Sequence, residues 1–492
     1  MLIPLSGWTA FMTEKVTMKR KSQLLTQNSG QTQLNLPSFL LKFMLKLPFF
    51  FRKYVGHGTV LLLCFLIVCN LAVNIYLLQF YRHHKSAKHI VRKNNIGLYC
   101  TIFFLSHPTH YHWDSWMYLY KACHYIHKHP HRNIYKELYF HRGMKFQYSP
   151  MSILLIEPFK DLSLKKFILL ANYISWIAIW ISIFILAKSY SLNLQSFTPS
   201  KAPLFGGFMA KLALAYCFTV TFYPLMDSYR LGQIQTWIYL FFILSIWMWS
   251  QDKKEMAGIF IGINSLIKPQ FGLFFFWGLV KKQKRFLLGW CGLFFPALLL
   301  SLYLFGVNHH LGYIRFLHFI SKHGESYYPN QSVNGLLYRL FHLGSNICPS
   351  NHRYAPYNPW IHVASYITFF LFVIPALFTK RVGHGKRDVI DFSIAALSFT
   401  IASPIAWTHH YAILLPLFAI AFPLILGIPK NSLYMIWLML SFFLTSNFIF
   451  LTNYLYNSWL NILQSLSLFG AISFLLLFYK LKATYSTQIN DK

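Results

Sequence analysis

Acidic residues are scarce in this chain: its 492 residues include 12 Asp+Glu against 45 Lys+Arg. Only 12% of the residues are charged, whereas 55% are hydrophobic, and the hydrophobic residues form long blocks. This pattern excludes a soluble protein built from amphipathic domains. It predicts transmembrane helices, because about 20 residues at a rise of about 1.5 Å each cross the hydrocarbon core of a bilayer.

A recognisable cysteine motif is also missing, and we expect neither a cleavable leader nor binding to nucleic acid. The 7 cysteines show no CxxC or zinc-ligand spacing, although a disulfide stays open among Cys100, Cys123 and Cys348, which are predicted outside the membrane. The first ~35 residues are polar and basic, without the apolar core of a signal peptide. Much of the formal net charge of +33 lies in clusters beside apolar blocks, where it meets lipid headgroups. We therefore expect membrane lipids, and no nucleic acid, as partners.

Block length and flanking charge predict an all-α polytopic membrane protein with about twelve transmembrane helices. Basic residues before the first block place the N-terminus in the cytoplasm. The predicted spans are Thr59–Phe80, Leu164–Ala187, Gly207–Leu225, Thr236–Ser250, the two arms of a hairpin at Met256–Val280, Leu287–Val307, Trp360–Thr379, Val389–Ala402, Ala412–Leu426, Leu433–Leu451 and Leu460–Tyr479.

This threading divides the chain into three regions. Residues 1–58 form a cytoplasmic segment with an amphipathic helix, residues 59–480 the transmembrane domain, and residues 481–492 a cytoplasmic tail. The outer loops are 81–163 and 308–359, and the first contains two predicted interfacial helices, Gly97–Ser106 and Ser149–Phe159, that are too short to cross.

The hairpin Met256–Val280 lies between two basic clusters, and its arms are too short to cross a full bilayer. Proline breaks the helix at its tip, Lys268-Pro269. A lysine there must face protein or a wet cavity, since exposure to lipid is costly. Phosphate at the interface is a suitable partner; the alternative is a lysine that snorkels to headgroups.

Unusual polar residues collect on the outer side of the threaded chain. They are Asp114, Tyr148, Asp227, Gln233, Lys268, Asn330, Gln331, Arg339, His409 and His410. A single face that gathers acids, bases and amides predicts a functional site there.

Asp114 is the candidate catalytic residue of this face. It lies between Trp113 and Trp116, in the polar segment after the first span. Near low-dielectric lipid, its carboxylate is expected to hold a proton more tightly than usual and to act as a general base. The alternatives are a solvated loop acid or a helix cap, and the rings also suit an interfacial aromatic belt.

The other groups suit a sugar phosphate. Amides bind sugar hydroxyls, which makes Gln233, Asn330 and Gln331 candidate sugar-binding residues, joined by Tyr148. A guanidinium binds phosphate bidentately, which suits Arg339. The pair His409 and His410 suits a departing phosphate or, alternatively, the water interface.

A metal site is the weaker interpretation of the many histidines. His110, His112 and Asp114 would share one side of an extended segment, but no further ligand is apparent. We expect neither a metal nor another cofactor.

A family resemblance rests on motifs in chain order: Asp114 after the first span, Tyr148-Ser-Pro150, Gly232-Gln233, Lys268-Pro269, Asn330-Gln-Ser332 with Arg339, and Ser403-Pro with Trp407-Thr-His-His410. This set resembles glycosyltransferase family 87 of the GT-C superfamily, which is similar to polyprenyl-phosphate-mannose-dependent mannosyltransferases. The resemblance implies a GT-C-like bundle and a polyprenyl-phosphate sugar donor, usually mannose. It also implies transfer to a lipid or glycan acceptor on the periplasmic face of the inner membrane, with the first outer-loop acid, here Asp114, as the base.

Together these features predict an inverting sugar transfer in which Asp114 activates the acceptor hydroxyl. Lys268, Arg339, His409 and His410 would stabilise the leaving phosphate. Two alternatives are open: a flippase or transporter of lipid-linked sugars, which would place ionisable groups near the midplane of two related halves, and an O-antigen-ligase-like enzyme.

Overall fold

The structure is a computed structural model that describes residues 58–83, 96–197, 208–343, 355–382, 388–428 and 431–490. Contacts divide the chain into two units, Met1–Leu62 and Leu63–Lys492, and nearly all described residues belong to the second. The predicted N-terminal amphipathic helix lies outside the described residues.

Helices dominate the described residues, which contain no β-strand and one isolated bridge, between Asn330 and Trp407. The α-helices are α1 (Gly58–His83), α2 (Gly97–Ser106), α3 (Trp116–Lys128), α4 (Leu164–Phe197), α5 (Phe208–Val220), α6 (Tyr223–Leu231), α7 (Gln235–Ser250), α8 (Lys254–Ile267), α9 (Leu273–Val280), α10 (Lys284–Phe305), α11 (Val307–His323), α12 (Val333–Phe341), α13 (Pro359–Phe378), α14 (Val389–Ile401), α15 (Leu414–Leu426), α16 (Ser432–Ser446) and α17 (Leu466–Asn490). Shorter helices are the π-helix Tyr135–His141 and the 3-10 helices Pro150–Leu155, Glu157–Phe159, Pro269–Gly272, Thr408–Ile413, Phe450–Leu455 and Trp459–Ser465. The predicted all-α fold is confirmed.

Five segments of the described chain are long and apolar enough to cross a membrane. They are Leu164–Ser189, Lys284–Phe305, Pro359–Phe378, Thr408–Leu426 and Trp459–Ser486. In α10 and α13 only 17% of the apolar window is buried, as expected for lipid-facing helices, whereas 94% is buried in Thr408–Leu426, which lies in the core. The chain is thus a helical membrane protein, and the total of about twelve spans stays a prediction.

Several element boundaries differ from the sequence predictions. Helix α4 continues to Phe197, into a segment predicted as a loop, because no glycine or proline interrupts it before Pro199. The span predicted at Gly207–Leu225 is broken between α5 and α6, where Pro224 occupies the first turn of α6 and cannot donate to the preceding turn. The second outer loop contains two helices, α11 and α12.

The hairpin breaks where the sequence predicts. Helix α8 ends at Ile267, Lys268 is extended, and Pro269 begins a 3-10 turn that leads into α9. The two ends of the hairpin meet at Lys254 Nζ, which donates to Gln283 Oε1 at 3.3 Å. The polar tip and the basic ends therefore lie at opposite ends of α8.

Close helix contact fixes the position of α8. A Cβ on Gly258 would lie 2.1 Å from the Phe286 carbonyl oxygen of α10, and one on Gly289 would lie 1.9 Å from that of Glu255. Only glycine permits this approach. Helix α10 therefore supports the helix that presents Lys268.

Candidate active site

A cavity of about 650 Å³ lies at the Lys268 end of α8. Six of the nine residues that the sequence predicts to take part in catalysis or binding line it: Asp114, Tyr148, Gln233, Lys268, His409 and His410. Further polar and aromatic lining comes from Lys145, Asp227, Arg230, Tyr327 and Trp407, and apolar side chains from α11 and α13, Leu317, Ile320 and Phe369, form another part of the wall. The cavity is therefore lined by charged groups on one part of its wall and by apolar side chains on another.

Backbone pairing with the turn after α6 positions Asp114. The Asp114 amide donates to the Leu231 carbonyl and the Ser115 amide to the Gly232 carbonyl, each at 3.1 Å. Gly232 has a positive φ of 70°, and a Cβ there would lie 2.3 Å from the His112 carbonyl oxygen. Glycine is required both for the left-handed turn and for the close approach of the Asp114 loop.

A chain of hydrogen bonds orients the Asp114 carboxylate. Gln233 Nε2 donates to Asp114 Oδ2, and Ser115 Oγ donates to Gln233 Oε1 at 2.6 Å. Because the serine proton is used there, the Tyr148 hydroxyl donates to Ser115 Oγ, also at 2.6 Å. This chain of hydrogen bonds therefore links Tyr148 to Asp114 through Ser115 and Gln233.

Two opposing effects set the proton affinity of Asp114. Burial of the carboxylate raises its pKa, while the Gln233 hydrogen bond and the charge of Lys145 lower it. The net direction is upward, which favours proton acceptance by this carboxylate. The candidate base thus combines orientation with raised basicity.

Lys268 is a buried cation without a carboxylate partner. Its Nζ donates to Gln235 Oε1 at 2.8 Å, and no acid among the described residues lies within ion-pair distance. A buried ammonium whose neighbour is a neutral amide is costly unless an anion binds there. Lys268 therefore favours the binding of an anion on its side of the cavity.

The two histidines lie at the start of the core helical segment Thr408–Leu426. Both are buried, and the His409 ring stacks on Trp407 at a centroid distance of 6.2 Å. His410 Nδ1 is buried without a hydrogen-bond partner in the described part of the chain. A polar group held in this way is available to a ligand.

Arg339, Asn330 and Gln331 lie behind the cavity wall. The Arg339 guanidinium is fully buried and donates to the Asn330 carbonyl at 2.9 Å and to Ser465 Oγ at 2.6 Å. Gln331 Nε2 donates to the carbonyls of Tyr328 and Gln464. Their bonds go to protein, and they are not among the residues that line the cavity.

These residues hold the segment that carries the histidines. Asn330 Oδ1 accepts from the Ala406 amide at 3.0 Å, the Gln331 amide donates to the Ala406 carbonyl at 2.7 Å, and Tyr411 OH donates to the Gln331 carbonyl at 2.6 Å. The amide-rich motif therefore fixes the wall that presents Trp407.

Two ion pairs at the cavity were not predicted from the sequence. Lys145 Nζ lies 3.2 Å from Glu325 Oε1 and 5.9 Å from the centre of the Trp407 ring. Arg230 Nη2 lies 2.5 Å from Asp227 Oδ1, with both side chains buried. In a chain with 45 Lys+Arg no local pattern distinguishes Lys145 or Arg230, although the scarcity of acids pointed to Asp227.

The structure also shows the contacts of two further groups from the sequence analysis, the histidines just before Asp114 and the cysteines predicted outside the membrane. His112 Nδ1 donates to the Arg230 carbonyl at 2.5 Å, and the His112 amide donates to His110 Nδ1 at 3.2 Å. Cys100 and Cys123 form no disulfide with each other or with another described residue, and Cys348 lies outside the described residues.

The fold and the cavity define a helical membrane protein in which a half-buried carboxylate, that of Asp114, and a lysine without an acidic partner among the described residues, Lys268, line one pocket. The model of glycosyltransferase family 87 matches residues 146–404, more than half of the chain, which therefore belongs to this family. The matched segment contains Tyr148, Gln233 and Lys268, whereas Asp114 precedes it and the histidine pair follows it. No curated protein matches the chain, and no solved structure does. The protein is thus a glycosyltransferase.

Proposed function

We propose that the protein transfers a hexose, with mannose the first candidate, from a polyprenyl-phosphate donor to an envelope lipid or glycan acceptor. We place the reaction on the periplasmic face of the inner membrane. The observation that supports this best is the cavity itself. It is lined by Asp114, whose carboxylate is held by Gln233, by Lys268, which has no acidic partner among the described residues, and by an apolar wall. One group is suited to an acceptor proton, the other to a donor phosphate.

Lys268 binds the donor phosphate in this proposal, and His409 and His410 supply further hydrogen bonds to it. These groups stabilise the charge that develops on phosphate as the sugar departs. Arg339, which the sequence also suggested for phosphate, acts through the wall by holding the Asn330 carbonyl. Asn330 and Gln331 likewise position the segment next to the sugar instead of touching it.

Asp114 takes the proton from the acceptor hydroxyl, whose oxygen attacks the anomeric carbon. The bond from that carbon to the phosphate oxygen breaks, and polyprenyl phosphate leaves with the electron pair. Attack from the face opposite the phosphate inverts the anomeric configuration. Phosphate is a good leaving group, so no general acid is needed. Gln233 orients the base and, together with Tyr148, contacts the sugar.

The apolar wall accommodates the lipid portion of the donor. Leu317 and Ile320 of α11 and Phe369 of α13 line it, and α13 is one of the two helices whose apolar residues are mostly exposed. A prenyl chain can therefore reach the bilayer while its phosphate stays in the cavity.

A transfer assay tests the proposed function. Purified protein in lipid nanodiscs is incubated with radiolabelled polyprenyl-phosphate mannose and a lipid extract of the cell envelope. We expect labelled glycolipid or glycan together with stoichiometric release of polyprenyl phosphate. Polyprenyl-phosphate glucose is the matched donor for hexose selectivity. Movement of the intact donor across proteoliposomes without any glycosidic product would support the transporter alternative.

The activity should fall in acid as Asp114 becomes protonated. Since burial raises its pKa, we expect the acidic limb of the kcat/KM profile above the usual aspartate pKa of about 3.9. Gln233→Met removes a hydrogen bond that favours the charged carboxylate, so the pKa should rise and the limb should move to higher pH. A reduced rate with an unmoved limb would contradict this role of Gln233.

Gly232→Ala should displace the loop that carries Asp114. The new methyl meets the His112 carbonyl and strains a left-handed turn, at a cost of about 1–3 kcal/mol. We expect a fall in kcat of about 10²-fold, as for misplaced catalytic groups, with the protein still inserted. Gly292→Ala is the matched control, because nothing lies within 4 Å of its Cβ. Equal activity of the two variants would contradict the close approach at Gly232.

A further inference from the structure

A cluster of three potential metal ligands lies outside the residues that line the cavity. Helix α3 carries Cys123 and His127, four residues apart and so on one face, and Glu157 begins the short helix Glu157–Phe159. Cys123 Sγ lies 3.4 Å from Glu157 Oε2, and His127 Nε2 lies 2.9 Å from each Glu157 oxygen. All three ligating atoms lie within 4.8 Å of one another.

These separations match the edges of a small coordination polyhedron. With Zn–S near 2.3 Å and Zn–N or Zn–O of about 2.0–2.2 Å, neighbouring ligand atoms in a tetrahedral site lie about 3.2–3.7 Å apart. The distance of 3.4 Å from Cys123 Sγ to Glu157 Oε2 falls in that range, and the distance of 2.9 Å from His127 Nε2 to the same oxygen lies about 0.3 Å below it. An increase of a few tenths of an ångström would bring the second distance into the range.

The surroundings of the cluster favour a three-ligand site with one open position. Cys123 is buried, Glu157 is partly buried and the His127 side chain is 41% exposed, so the outer side can accept water. Lys160 Nζ lies 2.9 Å from Glu157 Oε1, which leaves Oε2 as the ligand and gives Oε1 an outer partner. The neighbouring His124 is directed elsewhere, with Nδ1 on the Tyr120 carbonyl at 3.0 Å.

We propose that Cys123, His127 and Glu157 bind a zinc ion, with water as the fourth ligand. Thiolate, imidazole and carboxylate form a zinc set, whereas the sulfur disfavours Mg²⁺ and Ca²⁺. On binding, the thiol proton passes to solvent and sulfur coordinates as thiolate. The site does not depend on the proposed function, and it departs from the expectation of no metal.

The connected elements indicate what the ion does. Helix α3 begins two residues after Asp114, and the segment Pro150–Phe159 follows Tyr148. Immediately before that segment, Ser149 Oγ donates to the carbonyl of Leu266, two residues before Lys268. A zinc ion would therefore clamp the helix after the base to the segment beside the phosphate-binding lysine.

Cobalt titration of the full-length protein tests the site. Chelator-treated protein in detergent is titrated with Co²⁺, and we expect about one equivalent to give a thiolate-to-cobalt charge-transfer band that Zn²⁺ abolishes. Cys123→Ser should remove the band, and His127→Ala and Glu157→Gln should weaken binding at least about 100-fold. His124→Ala is the matched control and should bind as the wild type does.

His127→Ala keeps the proposal testable even if Cys123→Ser fails to fold, because the imidazole it removes is 41% exposed and its loss should leave the fold intact. Zn²⁺ should raise the unfolding temperature of the wild type and of His124→Ala, but not that of His127→Ala. Cobalt binding without a thiolate band, or binding equal in His127→Ala and the wild type, would overturn the proposal and leave an ordinary ion-pair cluster.

Discussion

Asp114→Asn is expected to lower the rate of sugar transfer by about 10²–10⁴-fold, the usual contribution of a general base. The amide keeps the size of the side chain and can still contact Gln233, but it cannot accept the acceptor proton. Donor binding should stay close to the wild-type value, because in the proposed mechanism the donor phosphate is bound by Lys268 and the two histidines. Transfer from radiolabelled polyprenyl-phosphate mannose under single-turnover conditions measures this effect directly.

Asp252→Asn is the matched control for this variant. It makes the same chemical change at an exposed acid near the opposite end of α8, where Asp252 pairs with Arg285. Asparagine also tolerates the positive φ of 61° at this position. We expect full activity. Near-normal transfer by Asp114→Asn, with the control equally active, would remove Asp114 from the mechanism.

Lys268→Met should weaken both donor binding and catalysis, with a combined loss in kcat/KM of about 10²–10³-fold. Methionine fills a similar volume but provides no charge for the phosphate. The unfolding temperature should change little: Gln235 loses a hydrogen bond of about 1 kcal/mol, while the cost of an uncompensated buried cation disappears. Donor titration and thermal unfolding separate these two effects.

Lys166→Met removes an exposed lysine from the first turn of α4 and serves as the control. It should leave kcat/KM and donor affinity unchanged. If Lys268→Met bound the donor normally and only unfolded earlier, Lys268 would be a structural residue and the phosphate would bind elsewhere.

Two residues that line the cavity could be picked out from the sequence, because burying a charged side chain costs free energy and few positions in an apolar chain permit it. A lysine beside proline within an apolar hairpin must avoid lipid, and the structure puts Lys268 in a cavity. An aspartate in an acid-poor chain is conspicuous, and Asp114 lines the same cavity. Charge and hydropathy are thus sufficient to single out both groups as candidate site residues.

Whether a polar residue faces the cavity or lies behind its wall was harder to predict from the sequence. Asn330, Gln331 and Arg339 carry the right chemistry for a sugar phosphate, yet they hydrogen-bond to backbone behind Trp407. Their orientation depends on the pairing of two loops far apart in the chain, which no local pattern encodes. Lys145 does line the cavity, but it could not be picked out from the sequence because lysine is common in its loop.

The predicted helix boundaries differ from the observed ones for local reasons. Pro224 divides a predicted span because it removes a donor, and α4 runs on because nothing stops it before Pro199. The cluster at Cys123 was also invisible from spacing, since Glu157 follows His127 by 30 residues and only the fold brings them together.

The most direct measurement is an electron cryo-microscopy structure of Asp114→Asn with polyprenyl-phosphate mannose bound. We expect the donor phosphate within hydrogen-bond distance of Lys268 Nζ, the prenyl chain along Leu317 and Phe369, and the anomeric carbon facing residue 114. A phosphate bound away from Lys268, or a sugar outside the cavity that contains residue 114, would contradict it.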